Sequence, residues 1–153
     1  MNIRIAPLPA SFLRRVREDG LDDQGQPVRR MQAEGGEPCR DVLRRAEPGE
    51  ELILASFSPF AKEGPYREFG PVFVLAQPSG DDVTREAFPV NGYFRERLVL
   101  RAYDDRESIR DAALVTGDEA VAALTRLLAH DETAFVHARF PVYGCFACRI
   151  DRD

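Results

Sequence analysis

The segment Thr133-Ala-Phe-Val-His-Ala-Arg-Phe-Pro-Val-Tyr-Gly-Cys-Phe-Ala-Cys-Arg-Ile150 has the pattern of two strands joined by a turn. Every second residue along 133–139 and again along 145–150 is small or apolar, which is typical of a strand with one buried face. The connection over 140–144 contains Pro and Gly and is too short for a helical crossover. The segment therefore predicts an antiparallel hairpin, and it indicates an antiparallel sheet.

The register of this hairpin is predicted from its apolar residues. We predict that Arg139 pairs with Cys145, because this pairing leaves only small or apolar side chains on one face. Those side chains are Ala134, Val136, Ala138, Phe146, Cys148 and Ile150. The opposite face, called the mixed face, then carries Phe135, His137, Arg139, Cys145 and Arg149. A shift by one residue would bury Arg149 beside Val136, at a high cost in desolvation.

The rest of the chain predicts further short strands and few helices. Runs typical of strands occupy 2–6, 28–31, 52–57, 72–76, 97–103 and 108–115. Apolar residues at helical spacing over 120–128 follow Thr116 and Glu119, which have capping-box spacing. A shorter helix is predicted to begin at a Ser11 cap and to end at Gly20. We therefore expect an α+β fold with a mainly antiparallel sheet, curled or barrel-like, of about eight short strands with two or three helices.

Two segments between these elements leave alternatives open. Residues 41–46 fit either a helical turn or an edge strand. Residues 58–70 predict a long loop, and such loops in compact domains are often functional. Tyr66 and Arg67 follow Pro65, which favours a shaped loop that covers the mixed face. Alternatively, its prolines and glycines serve only to end the strand before it.

Composition limits the class of protein. The 153 residues are 44% hydrophobic and 31% charged, which is typical of a soluble globular protein with a single domain over 1–153. No apolar run reaches the ~18 residues of a membrane span, so no membrane partner is expected. The net charge of −5 and the absence of a basic run argue against a nucleic-acid partner. Lys62 is the only lysine, so arginines supply nearly all the positive charge.

The cysteines predict reduced thiols rather than a metal site. Cys39, Cys145 and Cys148 are odd in number, and no apolar signal segment begins the chain, so a cytoplasmic location is expected. Residues three apart in a strand point to opposite faces, so Cys145 and Cys148 should not bind the same metal ion. A site of the three cysteines with His137 would need a bulge that turned both thiols one way. We therefore expect neither a metal nor a cofactor.

Several catalytic motifs are absent from the sequence. Lys62 is followed by Glu63, so no phosphate-cradling loop ends in Gly-Lys-Ser or Gly-Lys-Thr. Neither Gly-x-Gly-x-x-Gly after a strand nor Gly-x-Ser-x-Gly occurs. His130 and His137 are the only histidines and are too far apart for His-Glu-x-x-His zinc chemistry.

Three interpretations of the mixed face stay open. Arginine guanidinium groups match carboxylates and phosphates, so Arg139, Arg149 and Arg40 could bind a small anionic ligand beneath a loop carrying Tyr66 and Arg67. Alternatively, Cys145 acts as a catalytic nucleophile with His137 as its base, although neither an acid nor an oxyanion donor can be assigned. In the third interpretation the face is solvated and ion-paired, and the protein has a structural or interaction role. The ligand, any reaction and the oligomeric state are not determined by the sequence.

Six sequence blocks together resemble a known family. They are Pro38-Cys-Arg40, Ala46-Glu-Pro-Gly-Glu50, Gly64-Pro-Tyr-Arg67, Gly70-Pro-Val-Phe-Val74, Leu100-Arg-Ala-Tyr103 and Gly144-Cys-Phe-Ala147 with Arg149. Their order resembles the bacterial family called domain of unknown function 1203, over nearly the whole chain. The resemblance implies a single-domain bacterial protein without an established activity or assigned catalytic residues. Cys148 departs from the pattern, where a small residue such as alanine is expected, and this argues further against a role for a cysteine pair.

Overall fold

The computed structural model describes residues 2–153, which form ten strands and two helices. The strands are β1 (Ile3–Ala6), β2 (Arg29–Gln32), β3 (Pro38–Cys39), β4 (Arg44–Arg45), β5 (Glu51–Phe57), β6 (Gly70–Leu75), β7 (Arg97–Tyr103), β8 (Ile109–Thr116), β9 (Phe135–Arg139) and β10 (Phe146–Arg152). Helix α1 (Ala10–Arg14) continues as a π-helical turn (Arg15–Asp19), and α2 spans Gly117–Leu128. Neither helix among these residues is long and apolar enough to cross a membrane.

The strands form two open five-stranded sheets. The first sheet has the order β1-β10-β9-β7-β8 and is antiparallel throughout. The second has the order β2-β5-β6-β3-β4, in which only β3 and β6 run parallel. The α+β class with mainly antiparallel strands is confirmed. The expectation of one curled or barrel-like sheet of about eight strands is wrong, because the strands divide between two sheets that each keep two edges.

Helix α2 covers one face of the first sheet. Its Ala120, Leu124, Leu127 and Leu128 are fully buried against inward-facing residues of the strands, as the helical spacing predicts. Val121, predicted on the same face, is exposed instead. The Thr116 N–H donates to Glu119 Oε2 at 3.0 Å, and the Thr116 side chain accepts from the N3 backbone, which confirms the capping box. The predicted β7–β8 hairpin before it is also confirmed.

Helix α1 packs on the second sheet, where Phe12 and Val16 contact a core that includes Phe57. The ring centroids of Phe12 and Phe57 are 4.7 Å apart. The predicted cap at Ser11 is wrong: the N-cap residue is Pro9, and no side chain caps this helix. Gly20 ends the helical segment with φ of 67°, as predicted for a residue in the left-handed region.

Residues 41–46 combine a turn over 41–43 with a two-residue edge strand. The chain turns at Leu43, which has φ of 52°, and Arg44–Arg45 then forms the outermost strand of the second sheet. The predicted loop after β5 is confirmed and occupies residues 58–69.

The β9–β10 hairpin exists, but its predicted register is wrong. Arg139 pairs with Phe146 rather than Cys145, and Cys148 pairs with Ala138 after a β-bulge at Ala147. The bulge keeps Cys148 and Ile150 in the α2 core, as predicted, but moves Phe146 to the mixed face. Cys145 lies before the strand, in the turn. The sequence pattern assigned Phe146 to the α2 face because it does not show that the second sheet supplies another apolar cover, where Phe57 lies 5.5 Å from Phe146.

Candidate functional site

The mixed face lies on the side of the first sheet away from α2, and the 58–69 loop covers part of it. Phe60 of this loop packs 5.2 Å from the His137 ring and 5.4 Å from the Tyr103 ring. The Glu107 carboxylate accepts the N–H groups of Ala61 at 3.0 Å and Lys62 at 2.9 Å. These bonds hold the first half of the loop against the sheet.

A pocket of about 190 Å³ opens between the end of this loop and the β9–β10 turn. Its polar lining comprises Glu68, Arg139 and Cys145. Its larger apolar side chains are Phe57, Pro59, Phe69, Pro71, Tyr143 and Phe146. We call this the 139 pocket. It combines one buried cation and one glutamate with a rim of aromatic and proline side chains.

Arg139 is the cation at this pocket, and it is only 4% exposed. Its Nη1 donates to the Gly144 carbonyl at 3.1 Å, and its Nη2 donates to the Glu68 carboxylate. Its Nε has no hydrogen-bond partner within residues 2–153. A buried guanidinium is costly unless its charge and donors are matched, so this side chain depends on an anion at Nη2.

The structure does not join Cys145 and His137 by a hydrogen bond. The partly exposed Cys145 thiol lies 3.7 Å from the Tyr143 carbonyl oxygen, to which it donates. His137 is fully buried, and neither ring nitrogen has a partner in the described part of the chain. An activated thiol needs a base within hydrogen-bond reach, and this geometry does not supply one.

His137 is instead enclosed by aromatic rings. The rings of Phe60, Tyr103, Phe135 and Phe146 lie 4.9–5.2 Å from its own. Burial lowers the pKa of His137 well below its ordinary range, and the nearby Arg139, Arg149 and Arg101 lower it further. The imidazole is therefore neutral at physiological pH.

Arg149 and Arg40 lie outside the 139 pocket. Arg149 stacks 4.0 Å from the Phe135 ring centroid and donates to Asp151 at 2.9 Å. Arg40 is buried, and its Nε donates to the Phe146 carbonyl at 2.8 Å while Nη1 donates to the Pro38 carbonyl at 2.7 Å. Arg40 thus holds the bulged end of β10 against β3 of the second sheet.

Tyr66 and Arg67 lie on the 58–69 loop but do not line the pocket. Tyr66 is exposed, and Arg67 pairs with Glu63 at 2.5 Å and lies over the Phe69 ring. Among the predicted residues, the structure therefore brings Arg139 and Cys145 to one pocket and places the others elsewhere.

The three cysteines lie in three environments. Cys148 is in the α2 core and Cys39 in a core of the second sheet, and burial raises the pKa of each to about 12. Cys145 alone of the three lines the 139 pocket. Across residues 2–153, no three His, Cys, Asp or Glu side chains are grouped so that they could hold a metal ion.

Sequence reasoning missed Glu68, Phe69 and Tyr143. Glu68 is 71 positions from Arg139, and no local pattern relates the two. Phe69 and Tyr143 can be identified as pocket residues only when the loop and the β9–β10 turn are known to lie next to each other.

The fold and site define an α+β protein of two open sheets, with an arginine-bearing pocket between a loop and a hairpin turn. The family model described as Protein of unknown function (DUF1203) matches residues 36–152, and the chain belongs to this family. The resemblance found in the sequence is thus confirmed. No curated protein and no solved structure matches the chain.

Proposed function

We propose that this protein binds a small anionic molecule in the 139 pocket, with Arg139 as the residue that binds the anion. The observation that carries the proposal is a buried guanidinium at an open pocket, with the partly exposed Glu68 as its only carboxylate partner among residues 2–153. Arginine supplies two parallel donors to carboxylate or phosphate oxygens, and burial strengthens such bonds.

The surroundings of Arg139 support an anion rather than a cation. Arg101 lies opposite His137 in the β7–β9 strand pair, and the positive charges of Arg101 and Arg149 both lower the pKa of His137. His137 itself is neutral and adds no charge to this region. Arg149 and Arg40 contribute to the local positive potential in this proposal, and they do not contact the ligand.

Calorimetric titration with phosphate, sulfate, acetate and benzoate at matched ionic strength tests the proposal. We expect saturable binding of at least one anion and a rise in melting temperature at matched salt. A site with a Kd of ~1 mM raises the free energy of unfolding by about 2.7 kcal/mol when the ligand concentration is about a hundred times that Kd. Matching the ionic strength separates binding from general salt effects.

Three variants assign the binding to the pocket. Arg139→Gln should abolish the anion-specific effect, whereas Arg149→Gln, outside the pocket, should retain it. Because Arg139 is buried, Cys145→Leu provides a second test: it keeps the guanidinium, fills pocket space and should weaken anion binding. If wild type and all three variants respond equally to every anion, the mixed face is only an ion-paired surface and the proposal is wrong.

A further inference from the structure

We infer that the ligand of the 139 pocket is a carboxylate with a small apolar body, and that Glu68 occupies the carboxylate position in the free protein. This inference rests on the proposed function and names its ligand class. It is carried by the Glu68–Arg139 contact and by the aromatic rim of the pocket.

Glu68 shows which chemical group fits the guanidinium. Its carboxylate accepts from Arg139 Nη2, and the Glu68 side chain reaches this position from a loop rather than from the sheet. The side chain is 43% exposed, so its carboxylate regains water readily when it leaves Arg139. The buried guanidinium needs an anion at Nη2, so another carboxylate can take the place of Glu68 there.

The part of the loop that carries Glu68 is less firmly held than its beginning. Glu107 fixes Ala61 and Lys62, whereas the side-chain bonds around 63–68 are the exposed Arg67–Glu63 pair and the Glu68–Arg139 contact itself. Displacement of Glu68 therefore requires movement of a side chain and its immediate backbone, and the bonds to Glu107 stay intact.

The rim of the pocket favours an apolar body next to the carboxylate. Phe69 is 43% exposed and Tyr143 is 88% exposed, although both are large apolar side chains. Both line the pocket together with Pro59, Pro71 and Phe146. Exposed apolar surface gathered around a concave site is typical of ligand binding. Inorganic phosphate would satisfy Arg139 and leave these rings in water.

The size of the pocket limits this body to about one ring. Its volume of 190 Å³ lies below the ~300–1,000 Å³ of sites for drug-sized molecules. Benzoate and phenylacetate combine one ring with one carboxylate, and they are the probes that match this space. Acetate supplies the carboxylate without the ring, and phosphate supplies another anion.

Occupation by Glu68 lowers the apparent affinity for a ligand. When only a fraction of molecules has the binding-competent arrangement, the measured Kd rises by the inverse of that fraction. Removing the Glu68 carboxylate should therefore tighten binding, and a charge change elsewhere on the loop should not. Glu63 provides the matched control, because it is an exposed acid on the same loop, paired with Arg67 and outside the pocket.

Calorimetric titration of the full chain tests the inference with benzoate, phenylacetate, acetate and phosphate. We expect benzoate or phenylacetate to bind more tightly than acetate and phosphate. Glu68→Gln should lower the benzoate Kd by about threefold to tenfold, and Glu63→Gln should leave it unchanged. Tyr143→Ala should weaken benzoate binding and leave acetate binding as it was; Tyr143 is exposed, so this variant will fold.

A charge-preserving variant separates occupancy from electrostatics. Glu68→Asp keeps the negative charge on a shorter arm, so it should also tighten benzoate binding if occupation of Arg139 is what matters. Should Glu68→Gln and Glu68→Asp both bind benzoate like wild type, the role of Glu68 is overturned while anion binding stands. Tighter binding of phosphate than of benzoate overturns the carboxylate class alone. If no probe binds wild type or any variant, the proposed function itself has failed.

Discussion

Among single residues, His137 has the surroundings least suited to a charged ring. Four aromatic rings enclose it, three arginines lie near it, and burial lowers its pKa well below the usual value of 6.5. In the unfolded chain the same histidine titrates near pH 6.5. The unfolded state therefore binds more protons than the folded state below that pH.

We expect the free energy of unfolding to fall as the pH drops below about 6.5, by up to about 2 kcal/mol at pH 5. Well above pH 6.5 the imidazole is neutral in both states, and its contribution is fully present. His137→Phe should remove this part of the pH dependence, because a phenyl ring suits the aromatic surroundings and does not titrate. Urea unfolding across this pH range measures the effect. The exposed His130 is the control: His130→Gln should behave like wild type, and an unchanged slope in His137→Phe would contradict the assignment.

The cysteines provide a second test among single residues. Cys145 is partly exposed at the 139 pocket, while Cys39 and Cys148 are buried and have pKa values raised to about 12. The thiolate is the reactive form, so both buried thiols are protected by burial and by protonation. We expect iodoacetamide to modify Cys145 well before the other two under native conditions, as read by peptide mass spectrometry. Earlier modification of Cys148 would mean that the β9–β10 register of the structure is wrong.

Among helices and strands, the sequence correctly predicts those features whose contacts all lie within a short stretch of the chain. The spacing over 120–128, the Thr116–Glu119 box and the β7–β8 hairpin all depend on near neighbours, and all are confirmed. The Arg139–Cys145 pairing failed because a bulge at Ala147 is stabilised from elsewhere. The Ala147 carbonyl accepts a hydrogen bond from the Tyr93 hydroxyl at 2.8 Å, and Arg40 donates to the adjacent Phe146 carbonyl. No pattern within the hairpin indicates either donor.

The α2 cap offers a quantitative test at this level. Thr116→Ala removes the side-chain acceptor for the N3 backbone, and we expect a loss of about 1 kcal/mol in the free energy of unfolding. Thr125 is the matched control, because it lies exposed within the same helix and its hydroxyl donates only to the Val121 carbonyl within that helix. Thr125→Ala should be neutral or slightly stabilising. Urea unfolding of both variants checks this, and equal losses would show that the cap is not specific.

Across the whole fold, the arrangement of strands depends on contacts far apart in the chain. β1 pairs with β10, and β3 joins β6 in the one parallel pair of the described sheets. The 139 pocket has the same origin, since the loop after β5 and the β9–β10 turn meet only after the two sheets pack. Arg139 could be predicted because an arginine in an apolar strand is conspicuous by itself. Its partner Glu68 is one acid among 26 Asp and Glu residues, so sequence alone had no means of choosing it.

Phe146 connects the two sheets, because it belongs to β10 of the first sheet and packs in the core of the second. Its ring lies 5.5 Å from Phe57 and 5.1 Å from His137, and its backbone carbonyl accepts from Arg40. Phe146→Ala should therefore lower the free energy of unfolding by about 3–5 kcal/mol, through lost burial and the cavity that remains. Val142→Ala, at a site 89% exposed in the neighbouring turn, should change it by less than about 0.5 kcal/mol.

The same variants test whether the two sheets unfold together. Tyr93 and Tyr103 are buried with the first sheet, so their near-ultraviolet circular dichroism reports on its packing, while far-ultraviolet circular dichroism reports on all strands. Because Phe146 and Arg40 couple the sheets, wild type should show coincident urea transitions by both probes. In Phe146→Ala both transitions should shift to lower urea concentration. They should also separate from each other if Phe146 supplies most of the coupling between the sheets. Separate transitions already present in wild type would show that the two sheets unfold independently, and would contradict the coupling through Phe146 and Arg40.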